Sequence, residues 1–304
     1  MADDPGALGA PGFGDSARVI NAPSADPASK PYDLATAEHD YPARDGPPLR
    51  TILICTHPRS GSTLLGEALY FAGGLGCPLE YFHAGFRPAL AARWGCTGLP
   101  DYGRAVHRWR TDASGTLGVK LFWRDVAELA GELRPGRFDD LHGRPPEETS
   151  PDAYREIAGL LAPLFPAADY IHLVRRDRVR EAVSAAAAVQ TGIWRQIPQI
   201  GERTEAAAPS FDYATIERII AYADFCHRHW RGFFAAIGAV PHDLAYEDLT
   251  RDHDAAVKGV LDHLGSVAAV PPVRMKRQSD ARNEAMVLRF LRENAARAAD
   301  GSGA

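Results

Sequence analysis

Residues 52 to 70, ILICTHPRSGSTLLGEALY, constrain the fold more than any other stretch of the chain. Ile52, Leu53, Ile54 and Cys55 make a short apolar run suited to a strand buried on both faces, and the turn after it carries Pro58, Arg59, Ser60 and Gly61. From Ser62 the spacing becomes helical, with Leu64, Leu65, Ala68 and Leu69 on one face. A strand, a small polar turn and a helix in that order aim several backbone N–H groups and the positive end of a helix dipole at one spot. That spot suits an anion.

The same order recurs along the chain. LGVKLFW (117–123) reads as a second buried strand, and YIHLV (170–174) as a third that runs directly into Arg175, Arg176, Asp177 and a helix over 178–190. Asp243 to Tyr246 is a fourth strand candidate, followed by a helix from Asp252 to Leu264. A helix carrying Ile157, Leu160 and Leu161 and a long one from Tyr213 to Ile237 lie between these units, and Phe86 to Arg110 has mixed helical character with a Gly/Pro break at 98–100. Strands separated by helices predict an α/β fold, a P-loop-like parallel sheet with helices on both faces. Ligands of such sheets sit beyond the carboxyl ends of the strands, so both charged turns fall on one edge.

With 304 residues and 45% hydrophobic content the chain can bury one sizeable core, placed here over 49–298. Residues 1–48, rich in Gly, Ala, Pro, Asp and Ser, read as a flexible extension. A net charge of -5 gives no electrostatic case for nucleic acid or an anionic membrane as the main partner. No segment reaches the roughly 18 apolar residues of a membrane span, and no cationic start leads into an apolar core, so a cytoplasmic protein is expected. The 4 cysteines lack CxxC or Cys/His metal spacing, which points to reduced thiols and no metal. His57, His172, His227 and His229 carry no ligand logic and are read as structural.

A nucleotide kinase or ATPase needs GxxxxGK[ST], and PRSGSTL has no lysine. A transferred group with less charge than a γ-phosphate fits better: a sulfonate, which amides, one arginine and a few hydroxyls can neutralise without a metal.

HPRSGSTLL, PLEYF, HLVRRDRVREAVS, QTGIW and YEDL, in that order over about residues 49 to 290, resemble the signature blocks of sulfotransferases that use PAPS (3'-phosphoadenosine 5'-phosphosulfate), and in particular the bacterial trehalose 2-sulfotransferase family. The resemblance implies that Arg59, Ser60, Gly61, Ser62 and Thr63 hold the 5'-phosphosulfate, with Arg59 also catalytic. It implies a second unit for the 3'-phosphate, Ser184 with Arg175 or Arg176, of which the strand-end Arg175 is preferred, and it sets Tyr246 near the adenine. Glu80 of the PLEYF block is the implied general base for the acceptor hydroxyl. Tyr81, Phe82, Gln190 and Trp194 are expected at the acceptor, where aromatic faces and an amide suit a sugar-like molecule. The family is often dimeric, so a homodimer is expected. Two alternatives remain beside a carbohydrate sulfotransferase: a nucleotide-dependent phosphoryl transferase on the same layout, and a non-catalytic homologue that keeps the phosphate sites.

Overall fold

A computed structural model describes residues 33–194, 208–274 and 281–301 of the chain. Four parallel strands, β1 (Arg50–Thr56), β2 (Thr116–Phe122), β3 (Ala168–Val174) and β4 (His242–Ala245), form one sheet in the order β2-β1-β3-β4. All four strand candidates are present, the third starting two residues before the apolar run at Tyr170 and the fourth at His242.

β1 is central and buried, as an unbroken apolar run requires. Leu53 and Cys55 face a core shared with helices α4 (Trp123–Leu133), α5 (Pro151–Leu161) and α7 (Tyr213–Ile237). Ile52 and Ile54 face the opposite side, against α1 (Ser62–Ala72) and α9 (His253–His263). The sheet thus carries helices on both faces. Phe86 to Arg110 resolves into α2 (Arg87–Trp94) and α3 (Leu99–Arg110), divided at the Gly/Pro break. α6 (Arg178–Thr191) packs on α7 and on α10 (Ala281–Ala299), and the short α8 (Tyr246–Arg251) follows β4 directly. Among the described residues no helix is long and apolar enough to cross a membrane.

The expected extension, residues 1–48, divides at residue 33. Residues 1–32 lie outside the described part. The segment from Asp33 onward is docked: Leu34 is buried in the main core, and the fully buried Arg110 of α3 donates to the carbonyls of Leu34 (2.7 Å) and Thr36 (3.2 Å) and pairs with Asp40 (2.9 Å). One buried guanidinium therefore gathers a stretch whose composition alone suggests a loose tail.

Candidate active site

The turn between β1 and α1 is held in an unusual backbone shape. Arg59 has φ 69° and Gly61 φ 89°, both left-handed, a conformation that costs a non-glycine residue energy and marks functional turns. The loop is braced from inside. Thr56 Oγ1 donates to the Leu173 carbonyl of β3 (2.6 Å), and Ser60 Oγ donates to the His57 carbonyl (2.7 Å). Ser60 is fully buried, so its hydroxyl shapes the cradle.

Gly61 is the N-cap of α1, offers no side-chain acceptor, and no acidic residue lies in the helix's first turn. The dipole and the first N–H groups of α1 are left for an incoming anion. The second turn differs: Asp177 caps α6 and accepts from Arg180 N (2.9 Å), so a carboxylate already occupies that helix start.

Two arginines converge on the first turn. Arg59 donates through Nε to Ser184 Oγ of α6 (2.9 Å) and through Nη1 to the Trp194 carbonyl. Arg175, at the end of β3, donates to the Arg59 carbonyl (3.1 Å) and lies 4.5 Å above the ring of Tyr246. Its Nε is buried without a hydrogen-bond partner. Burial, and then the neighbouring Arg175 charge, push the Arg59 pKa down to about 10. Two half-buried guanidinium groups side by side are unfavourable until an anion comes between them. Ser184, expected beside Arg175, is thus engaged by Arg59, and the two anion units form one continuous cluster. Arg176 points away and pairs with Asp248 on the surface.

The YED block locks this arrangement. The Tyr246 ring lies so close to Gly61 that a Cβ there would sit 2.6 Å from it. Glu247 accepts from Arg176 N and Asp177 N, both at 3.0 Å, and Asp248 takes the Arg176 side chain. Three consecutive residues thereby clamp the β3–α6 turn to the β1–α1 turn.

On the other side of the loop Glu80 pairs with Lys120 of β2 at 2.7 Å, and Lys120 Nζ also reaches Thr63 Oγ1 (3.5 Å). Register explains this. Lys120 lies opposite Ile54, whose side chain faces α1, and so points beneath the first turn of that helix. Sequence reasoning passed over Lys120. A lysine inside the apolar run of LGVKLFW, only 3% exposed in the fold, is the signal that would have found it.

A cavity of about 470 Å³ opens beside the loop, against His57 and Pro58, and runs between α4 and the α6/α7 pair. The buried His57 pairs through Nδ1 with Glu181 (2.9 Å), which also accepts from Arg178 (2.8 Å), so the ring is held rigidly at the cavity wall. His83, three residues after Glu80, lines the same space, as does Trp194. Gln190 joins the end of α6 to Ser210, accepting from its N–H (2.7 Å) and donating to its carbonyl (2.9 Å). Tyr81 and Phe82 do not line the cavity. The Tyr81 hydroxyl donates to the Cys77 carbonyl (2.6 Å), and Phe82 packs edge-on to Tyr102 and Phe165 in the core. Their place is set by packing.

This frame is shared with known enzymes. Residues 51–293 match the Stf0 sulphotransferase family, and the chain belongs to it. It is 30% identical over 272 residues to the trehalose 2-sulfotransferase of Mycobacterium tuberculosis (strain ATCC 35801 / TMC 107 / Erdman), covering 81% of this chain and 96% of that enzyme. It is 28% identical over 267 residues to the trehalose 2-sulfotransferase of Mycolicibacterium smegmatis (strain ATCC 700084 / mc(2)155), covering 79% and 94%.

Proposed function

We propose that this sulfotransferase moves a sulfuryl group from PAPS to a hydroxyl of a carbohydrate or glycosylated small molecule, with Glu80 as general base. The observation that carries the choice of PAPS is the pair Arg59 and Arg175, two half-buried cations at the open start of α1, the second with a buried Nε that has no hydrogen-bond partner. A ligand with phosphate and sulfate groups offsets the repulsion between the two cations, and the Tyr246 ring offers a flat face beside them.

The residues divide the work. Arg59, Ser62, Thr63 and the N–H groups of α1 bind the 5'-phosphosulfate and stabilise charge that builds on the leaving phosphate oxygen. Arg175 and Ser184 hold the remaining phosphate, the group absent from ADP. The acceptor oxygen forms its bond to sulfur as the bond from sulfur to the 5'-phosphate oxygen breaks. Glu80 takes the hydroxyl proton, and Lys120 steadies the carboxylate until then. His57, fixed by Glu181 at the cavity wall, orients the acceptor, and Trp194 covers it.

Isothermal titration tests the reading. PAP (3',5'-bisphosphoadenosine) should bind at least tenfold tighter than ADP. Equal affinity removes PAPS as the donor and favours a phosphoryl transferase.

A further inference from the structure

The two long walls of the cavity are chemically opposite. On the α6/α7 side Ala185, Val189, Ile219, Tyr222 and Cys226 present one continuous apolar face. Among the described side chains of this wall, only the Tyr222 hydroxyl and the Cys226 thiol are polar. Among the described residues this wall has no charged group. On the α4 side Arg124, Glu128 and Glu132 recur at helical spacing, joined by Asp139 and His142. Arg124 pairs with Glu128 (2.7 Å), and Glu132 is held by Arg87.

A bare sugar has hydroxyls around its whole rim. Set in this slot, it would leave the hydroxyls facing α6 and α7 without partners, and each buried hydroxyl left unpaired weakens binding. A molecule polar on one side and apolar on the other matches both walls. Resting on the sulfotransferase reading above, we infer that the acceptor is a glycoside with an apolar aglycone. The aglycone lies on the α6/α7 wall, while the sugar faces α4 and the His57 end.

Octyl β-D-glucopyranoside, kept below its micelle concentration, is the probe, with glucose and trehalose as comparisons. With PAPS and the full chain, kcat/KM for octyl glucoside should exceed that for glucose at least tenfold. Val189→Asn, at a half-buried position, should cut that ratio at least threefold, with PAP titration reporting that the variant is folded. Glucose or trehalose used as well as octyl glucoside overturns the inference, as does an unchanged ratio in the Val189→Asn protein. If nothing is sulfated although PAP binds, the transferase reading fails on its own. Titration of octyl glucoside into the PAP complex then decides the inference: binding at least tenfold tighter than glucose sustains it, and equal binding ends it.

Discussion

Lys120 and Glu80 face each other at 2.7 Å, the lysine 3% and the glutamate 12% exposed, directly under the start of α1. The carboxylate proposed as the base is thus held in an ion pair, and the same cation reaches Thr63 at the start of α1, proposed to bind the phosphosulfate. In the proposed mechanism, the acceptor side and the donor side meet at this one ammonium.

Replacing Glu80 by Gln should lower kcat for sulfate transfer by about 10²-fold or more, the usual contribution of a positioned general base. PAP affinity, measured by titration, should stay within twofold of the parent. Undiminished turnover would move the base elsewhere, with His57 and His83 at the cavity wall the candidates.

Lys120→Met removes the cation from a largely buried carboxylate and should destabilise the fold by about 3–5 kcal/mol. Combining it with Glu80→Gln removes both charges and should restore most of that loss in urea unfolding. If the two losses simply add, the pair is not energetically coupled.

Gly61→Ala should weaken PAP binding at least tenfold. The new Cβ would meet the Tyr246 ring at 2.6 Å, and φ of 89° is unfavourable for alanine in any case. Tyr246→Leu in the same chain relieves the contact but not the strain, so only partial recovery is expected.

Acid should destabilise the protein from about pH 6.5 downward. Burial lowers the pKa of His172, His227 and His229, the last to about 4. His229 accepts from the Tyr154 hydroxyl (2.8 Å) and donates to the Arg144 carbonyl (2.9 Å), a set of bonds that suits the neutral ring. The unfolded chain binds protons near the ordinary histidine value while the folded chain does not, so stability is complete above that value and is lost as pH falls. His229 alone accounts for roughly 3 kcal/mol by pH 4. Asp125, whose pKa burial raises, acts in the opposite sense, but the histidines outnumber it. Melting temperature from pH 8 to 5 should fall by several degrees, and less in His229→Gln; a flat profile in the parent contradicts the assignment.

The sheet was legible because parallel strands buried on both faces are written as uninterrupted apolar runs, and YIHLV and ILIC stand out for that reason. The β1–α1 turn was legible for its small polar residues. Side-chain direction was not. Tyr81 and Phe82 share a block with Glu80, yet the backbone turns there and sends them into the core. Lys120 and the His57–Glu181 pair depend on register and on a helix residue 124 positions away, which no local pattern encodes. The docking of residues 34–40 depends on Arg110, whose burial the polar composition of that stretch conceals.

The grip of Tyr246 and Glu247 on the two turns also has a timing. β1 and its loop leave the ribosome well before β4 and α8. Until they emerge, the ring beside Gly61 is absent and the N–H groups of residues 176 and 177 lack their carboxylate. The nascent chain should therefore be unable to form the proposed donor site until α8 has emerged, and a chain cut before residue 242 should lack that site even if the rest of its sheet pairs.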